Sequence, residues 1–162
     1  MTGSSSDPAP IRLLLVDDEA SLREPLADYL VRQGFAVREA SDAARARSLL
    51  IEERPDLVLL DLTMPEMDGL TVARTLTGQP SPPAVIFVTA HDEFAVEAFD
   101  LDAVDYVLKP VAPERLARAI GRVVEARSRT LPEEAQSRWT QEFWVPHRSE
   151  MIRVAAVDIT RI

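Results

Sequence analysis

The sequence contains no cysteine, which excludes disulfide bonds, thiolate metal sites and thiol nucleophiles. No apolar run approaches the roughly 20 residues that span a bilayer, and residues 1–10 lack the apolar stretch of a secretory signal. Basic residues are few, 18 against 27 acidic ones, and the formal charge of -9 disfavours nonspecific binding to nucleic acid or anionic lipid. We therefore expect a cytoplasmic protein that does not contact membranes.

Short apolar runs alternate with amphipathic stretches five times along the chain. Continuous apolar runs are typical of strands buried on both faces, and the alternation indicates a parallel sheet covered by helices on both sides. The sequence therefore predicts an α/β domain of the (βα)5 type with a doubly wound parallel sheet. Ser21 is predicted to cap the first helix and Gly34 to end it in a left-handed conformation. The predicted strands cover residues 13–16, 36–38, 57–60, 84–88 and 106–108, and the predicted helices cover 21–34, 43–53, a segment starting at 69, 93–99 and 113–129.

Composition divides the chain into four segments. Residues 1–10 are small, polar and proline-rich, and they are predicted to be a disordered leader because they bury too little surface to offset their ordering entropy. Residues 11–129 form the predicted α/β domain, and residues 130–140 a polar linker. Residues 141–162 contain two predicted strands, 143–145 and 151–154. Because a lone hairpin is unstable in water, it must pack on the domain, pair with another copy or belong to a second domain.

Polar side chains follow four of the predicted strands. Asp17 and Asp18 follow the first strand, Asp61 follows the third, Thr89 closes the fourth and Lys109 follows the fifth. Because ligands of open parallel sheets bind outside the carboxyl ends of the strands, these side chains should share one pocket. Carboxylates gathered there repel one another, and a divalent cation removes that cost. Mg²⁺ prefers hard oxygen ligands, so the sequence predicts a magnesium site.

A carboxylate in such a pocket can act as a phosphoryl acceptor when nearby cations neutralise the transferring oxygens. Lys109 would supply a fixed positive charge. The hydroxyl of Thr89 can donate to a phosphoryl oxygen, and the small Ala90 beside it leaves that oxygen accessible. A charge-assisted hydrogen bond of this kind contributes about 1.5–3 kcal/mol, which is enough to bias a two-state loop.

Four motifs, in matching order and spacing, resemble the signature of the CheY-like receiver domains of two-component response regulators. They are VDDE at 16–19, LDLTMPEMDG at 60–69, TA at 89–90 and LKP at 108–110. The resemblance covers residues 11–127 and implies a flavodoxin-like strand order, 2-1-3-4-5. It also implies a cis peptide bond between Lys109 and Pro110.

The resemblance assigns a role to each residue of the pocket. It implies Asp61 as the phosphoacceptor, assisted by Lys109 and Thr89, with Asp17, Asp18, Asp61 and the backbone carbonyl of Thr63 around Mg²⁺. Thr89 and Tyr106 would be the switch pair. The phosphoryl donor would be a histidine kinase, and the protein would phosphorylate itself and could remove its own phosphoryl group without being a turnover enzyme. A homodimer through the face of helix 4, strand 5 and helix 5 is a further expectation of the family.

Three further segments are similar to response regulators of the LytTR class. TAHDEFAVEAFD at 89–100 and DYVLKPV at 105–111 resemble their receivers, and residues 143–162 resemble the first strands of a LytTR DNA-binding domain. Because a complete domain needs about a hundred residues, we expect DNA to be bound by a complete LytTR domain and not by this chain alone.

The same residues can be compared with what two other functions would require, those of an aspartyl-phosphate phosphatase and of a nucleotide-binding protein. Aspartyl-phosphate phosphatases place a second aspartate two residues after the nucleophile, where this chain has Thr63, and nucleotide-binding folds need a glycine-rich turn that is missing after the first strand. A stand-alone receiver that acts as a phosphorelay carrier or protein-interaction module remains an alternative. His91 and His147 have no partner at metal-ligand spacing and receive no role.

Overall fold

The computed structural model describes residues 9–64, 67–130, 143–147 and 150–154. The predicted leader and linker lie outside these residues, apart from residues 9, 10 and 130. In chain order the elements are β1 (Arg12–Val16), α1 (Ala20–Arg32), β2 (Ala36–Ala40), α2 (Ala43–Glu52), β3 (Leu57–Leu60), β4 (Thr63–Met64), β5 (Met67–Asp68), α3 (Gly69–Thr77), β6 (Ala84–Thr89), α4 (Ala95–Asp100), β7 (Asp105–Leu108), α5 (Pro113–Thr130), β8 (Phe143–His147) and β9 (Glu150–Val154).

Five of the strands form one parallel sheet in the order β2-β1-β3-β6-β7. Counted among themselves, these strands have the order 2-1-3-4-5, so the predicted doubly wound topology is confirmed. The order reverses between β1 and β3, which lie side by side at the centre. The two strands that end in aspartates are therefore neighbours, with their carboxyl ends at the same edge of the sheet.

Alternate residues of the central strands enter two separate cores. Leu14 and Leu60 belong to the core under α2 and α3, whereas Leu13 and Leu59 belong to the core under α1 and α5. All four residues of β3 are fully buried. Burial on both faces explains why the strand sequences are continuous apolar runs instead of alternating ones.

The start of α1 differs from the prediction. Ser21 does not cap the helix: the N-cap residue is Glu19, which makes no side-chain cap bond, and the Ser21 hydroxyl donates to the Glu19 carboxylate. The backbone N–H of Glu19 instead donates to the Asp17 carboxylate at 2.9 Å, which ties the helix start to the end of β1. Gly34 has φ +95, the left-handed conformation that was predicted.

Other boundaries move by one or two residues, and one element was missed. The fourth helix begins at Ala95 instead of residue 93, and β2 extends to Ala40. The missed element is the small antiparallel pair of β4 and β5, which folds the chain back between Asp61 and Gly69. The two predicted strands of the tail are present as the antiparallel pair β8 and β9. Among the described residues, no helix combines the length and the apolar character needed to cross a bilayer.

Candidate functional site

The three aspartates lie together at the carboxyl ends of β1 and β3. One carboxylate oxygen from each of Asp17, Asp18 and Asp61 lies within 4.8 Å of the others. Asp17 and Asp61 are only 5% and 3% exposed, whereas Asp18 is open to solvent. The parallel pairing of β1 with β3 causes this convergence, because Val16 and Leu60 are register partners and the aspartates follow them directly.

Lys109 reaches this group from the end of β7. Its ammonium donates to Oδ2 of Asp17 at 2.8 Å and to Oδ2 of Asp61 at 3.0 Å. The peptide bond that follows it, to Pro110, is cis as expected. Burial lowers the pKa of Lys109, but the hydrogen bonds with the two aspartates outweigh burial and raise that pKa above its ordinary value. Lys109 is therefore a permanent cation at neutral pH.

The remaining polar groups of Asp17 are also engaged. Its N–H donates to the carbonyl oxygen of Ala40 at 3.1 Å, and its other carboxylate oxygen accepts the N–H of Glu19. Its carbonyl oxygen accepts a 2.7 Å hydrogen bond from the guanidinium of Arg23. Asp17 is thus fixed at its backbone and its side chain, and Arg23 is a neighbour of the site that sequence reasoning missed.

Asp61 is set by the short turn that β4 and β5 form. The N–H and the hydroxyl of Thr63 both donate to Oδ1 of Asp61, at 3.1 and 3.3 Å. At the other end of this turn, the N–H of Gly69 donates to the carbonyl oxygen of Leu62 at 2.9 Å. A Cβ atom at position 69 would lie 2.3 Å from the carbonyl oxygen of Asp61. The turn therefore requires glycine at this position for steric reasons.

The predicted switch residues meet at the backbone of His91. Thr89 is fully buried at the end of β6, and its hydroxyl oxygen accepts the N–H of His91 at 3.4 Å. The half-buried Tyr106 donates its hydroxyl to the carbonyl oxygen of His91, and its ring lies 6.4 Å from that of Phe87. Burial, assisted by the negative charge of Asp92, raises the Tyr106 pKa. His91, to which the sequence assigned no role, thus joins the two residues through its main chain.

A second charged cluster lies at the amino end of β7. Asp105 is 3% exposed, accepts hydrogen bonds from both terminal nitrogens of Arg115, and accepts another from Arg122 at 2.9 Å. Burial raises the pKa of Asp105, but the bonds from Arg115 and from the Tyr106 N–H lower it below its ordinary value. Arg115 also donates to the Tyr106 carbonyl oxygen at 3.0 Å. This cluster fixes the main chain of Tyr106, and it was not predicted from the sequence.

Comparison with known proteins agrees with this geometry. Residues 13–121 match the response regulator receiver domain. The chain belongs to the response regulator receiver family. Among curated relatives of this receiver, the positive alginate biosynthesis regulatory protein of Pseudomonas aeruginosa is 52% identical over 114 residues, which are 68% of this chain and 46% of that protein. The sensory transduction protein LytT of Enterococcus faecalis is 32% identical over 154 residues, 92% of this chain and 63% of that protein.

Solved structures show the same receiver fold. The REC domain of AraT, a response regulator from Geobacillus stearothermophilus, is 34% identical with a TM-score of 0.68, over 75% of this chain and 98% of that one. The predicted receiver, with relatives named LytT and LytR, is therefore confirmed. The chain spans about half the length of the curated relatives it matches.

The receiver pocket has the composition that a hard divalent cation requires. Three carboxylates face a single ammonium, so the group carries two uncompensated negative charges. Asp17 and Asp61 turn one oxygen each to Lys109, while the exposed Asp18 remains open to water. Oxygen ligands, excess negative charge and access to water together suit Mg²⁺, which keeps several of its waters when bound.

Proposed function

We propose that this receiver accepts a phosphoryl group on Asp61 from the phosphohistidine of a histidine kinase, assisted by Mg²⁺. The observation that carries the proposal is the buried carboxylate of Asp61 between Lys109 and the acids Asp17 and Asp18. Oδ1 of Asp61 accepts the N–H of Thr63 and is therefore oriented by the turn that follows it. An oriented carboxylate next to a fixed cation is the arrangement that a phosphoryl acceptor needs.

In the transfer, a carboxylate oxygen of Asp61 forms a bond to phosphorus while the bond from phosphorus to the donor nitrogen breaks. The departing imidazole takes a proton and leaves neutral. Lys109 compensates the charge on the transferring oxygens, and Thr89 donates its hydroxyl to one of them once the phosphoryl group is in place. Asp17, Asp18, Asp61 and the carbonyl of Thr63 would bind Mg²⁺, which supplies further neutralisation of phosphoryl charge.

Intact mass after incubation with acetyl phosphate and Mg²⁺ tests this proposal. We expect one phosphoryl adduct on the wild type and none on Asp61→Asn. The matched control is Asp56→Asn, because Asp56 precedes the strand that Asp61 follows and lies at the opposite end of the sheet. An adduct that persists in Asp61→Asn, or that is lost in a folded Asp56→Asn, contradicts the assignment.

A groove beside the carboxylates suits the kinase. It has a volume of about 340 Å³, lies between α1 and the start of α5, and is mostly apolar, with Asp17 and Lys109 among the residues that line it. Leu22, 39% exposed, lines it. We expect Leu22→Glu to keep labelling by acetyl phosphate and to lose transfer from a kinase that phosphorylates the wild type. Val31→Glu, on the exposed surface of the same helix, should keep both labelling by acetyl phosphate and transfer from the kinase. Equal transfer from the kinase to Leu22→Glu and to the wild type would exclude this groove as the kinase-binding site.

The proposed output begins with dimerisation through α4, β7 and α5. This face carries exposed apolar side chains, Val96 at 73%, Phe99 at 59% and Leu108 at 47%. The charges of its two helices are opposite, since α4 contains Glu97 and Asp100 whereas α5 contains several arginines. A symmetric pair places each patch against its own copy, so opposite charges on one patch are complementary in a two-fold dimer.

Sedimentation velocity with and without acetyl phosphate tests the dimer. We expect the phosphorylated wild type to dimerise and Phe99→Asp to remain monomeric while still accepting the phosphoryl group. Ile51→Asp, at an apolar site on α2 that is 75% exposed, is the control and should dimerise like the wild type. A monomeric phosphorylated wild type, or a dimeric Phe99→Asp, contradicts this part of the proposal.

We also propose that residues 141–162 begin an output domain of the LytTR type that binds DNA when complete. The alignment with LytT, which extends over 92% of this chain, supports this. Residues 1–162 should then give no sequence-specific complex with DNA in fluorescence anisotropy at physiological salt. A specific complex formed by this chain alone would contradict that expectation.

A further inference from the structure

Arg23, near the start of α1, lies at the edge of the carboxylate pocket. Its Nη1 donates a 2.7 Å hydrogen bond to the backbone carbonyl oxygen of Asp17, and its Nε donates a 3.2 Å bond to Oε1 of Glu39 in β2. The Arg23 side chain is 13% exposed, against 41% for Glu39. A charged group is removed from water only at a cost, so a guanidinium this buried needs partners on both sides.

The carbonyl that Arg23 contacts belongs to the peptide unit joining Asp17 to Asp18. The preceding peptide unit is fixed too, because the N–H of Asp17 donates to the carbonyl oxygen of Ala40 in β2. Lys109 and the N–H of Glu19 then fix the Asp17 carboxylate. The plane of the Asp17–Asp18 peptide sets the direction in which the side chain of Asp18 leaves the backbone. A bond that fixes this plane therefore also orients the most exposed of the three acids.

We propose that Arg23, braced by Glu39, is a positioning residue that orients the Asp17–Asp18 peptide so that both carboxylates face Asp61. The inference rests on the proposed magnesium site and adds a residue that contacts neither the metal nor the phosphoryl group. Arginine suits this role because its planar group presents separate donors to two acceptors, which the single ammonium of lysine does not do in the same geometry.

Direct metal binding tests the role, with Mn²⁺ as a paramagnetic probe whose free concentration is measured by electron paramagnetic resonance. We expect Arg23→Met to bind Mn²⁺ about tenfold more weakly than the wild type, as for other residues that orient metal ligands. Arg23→Lys should recover only part of this loss, and Glu39→Gln should weaken Mn²⁺ binding by less than Arg23→Met does, because only the contact that braces Arg23 is lost. Arg38→Met is the matched control, since it breaks another ion pair of β2, with Glu53, that does not reach Asp17.

Thermal unfolding in EDTA, recorded for the same variants, separates a purely structural role from positioning. Equal Mn²⁺ affinity of Arg23→Met and Arg38→Met overturns the role of Arg23, whatever their unfolding temperatures. If Arg23→Met does not fold, Glu39→Gln decides: weaker binding supports the role and unchanged binding overturns it. A wild type that does not bind Mn²⁺, or an Asp18→Ala variant that binds it equally well, contradicts the metal site itself and not the role of Arg23.

Discussion

Replacing Lys109 by methionine is expected to destabilise the folded receiver by about 3–4 kcal/mol at pH 7 without divalent cations. The ammonium donates to Asp17 and Asp61, whose side chains are 7% and 4% exposed. Each such bond to a charged group contributes about 1.5–3 kcal/mol, and the desolvation of the lysine offsets part of their sum. Methionine keeps most of the apolar stem, so the substitution removes chiefly the charge.

The pH dependence of this difference follows from the raised pKa of Lys109. Burial lowers that pKa, but the bonds to Asp17 and Asp61 raise it above 10.5, so the folded protein retains this proton more tightly than the unfolded chain. The contribution to stability is therefore complete below pH 10.5 and is lost as the pH rises through the folded-state pKa. The difference between the wild type and Lys109→Met should be constant near neutral pH and should shrink above pH 10.5.

Urea unfolding in EDTA and in Mg²⁺ measures both proteins. The substitution leaves three negative charges in the pocket instead of two, so Mg²⁺ should stabilise the variant more than the wild type and narrow the difference. Lys109 is the only lysine among the 162 residues, so a sample labelled with ¹³C-lysine gives one side-chain signal that reports its pKa. Two results together would refute the reasoning. The first is a free energy of unfolding in EDTA that differs by less than about 1 kcal/mol between the wild type and Lys109→Met, which is below the range expected for a broken buried pair. The second is a lysine pKa at or below 10.5 in the folded wild type.

Three further substitutions test other parts of the structure, each by urea unfolding and Gly69→Ala also by labelling with acetyl phosphate. Asp105→Asn should lower the free energy of unfolding by about 2–3 kcal/mol, because a buried acceptor loses its charge. Since the pKa of Asp105 is lowered in the folded protein, this difference from the wild type should be present at neutral pH and disappear as the pH falls below 3.8. Gly69→Ala should lower the free energy of unfolding by about 1–3 kcal/mol and reduce phosphorylation, because its Cβ would meet the Asp61 backbone. The control Gly78→Ala should leave the free energy of unfolding unchanged, because no atom lies within 4 Å of its Cβ position. Tyr106→Phe should cost about 0.5–1.5 kcal/mol, the value of one neutral hydrogen bond. Equal stability of the two alanine variants would contradict the steric contact at Gly69. A pH-independent difference in stability between the wild type and Asp105→Asn would contradict the ion pairs of Asp105. A Tyr106→Phe variant as stable as the wild type would contradict the hydrogen bond of the Tyr106 hydroxyl.

The sheet and the acid group were predictable because both follow from short-range pattern and parallel topology. The strand at 57–60 is four apolar residues between Asp56 and Asp61, and it has the same bounds in the structure. Once β1 and β3 are taken as parallel neighbours, the aspartates that follow them must meet. No long-range information beyond strand order is needed, and the resemblance to receivers supplied that order.

The contacts of Arg23 and Asp105 were not predictable in the same way. Arg23 contacts the Asp17 carbonyl only because α1 is rotated about its axis in one particular way against β1. Apolar periodicity predicts which broad face of a helix is buried, but it does not predict this rotation closely enough. Asp105 stands at the start of a strand, where a solvated carboxylate is the usual case. It is buried because Arg115 and Arg122, two turns apart on α5, both lie over it. The sequence itself marks Lys109, because 17 of its 18 basic residues are arginine and residue 109 is the only lysine.

The two ends of β3 place the same residue type in opposite electrostatic surroundings. Asp56, before the strand, forms ion pairs with Arg12 and Arg127, and although burial raises its pKa, the bonds from Arg12 lower it below the ordinary value. Two arginines surround one carboxylate there, so no uncompensated negative charge remains to bind a cation. Asp61, after the strand, shares a single ammonium with Asp17 and lies beside Asp18, so negative charge remains in excess. A carboxylate with surplus arginine stabilises the fold, whereas a carboxylate short of positive charge suits the binding of a metal ion and of a phosphoryl group that we propose for Asp61.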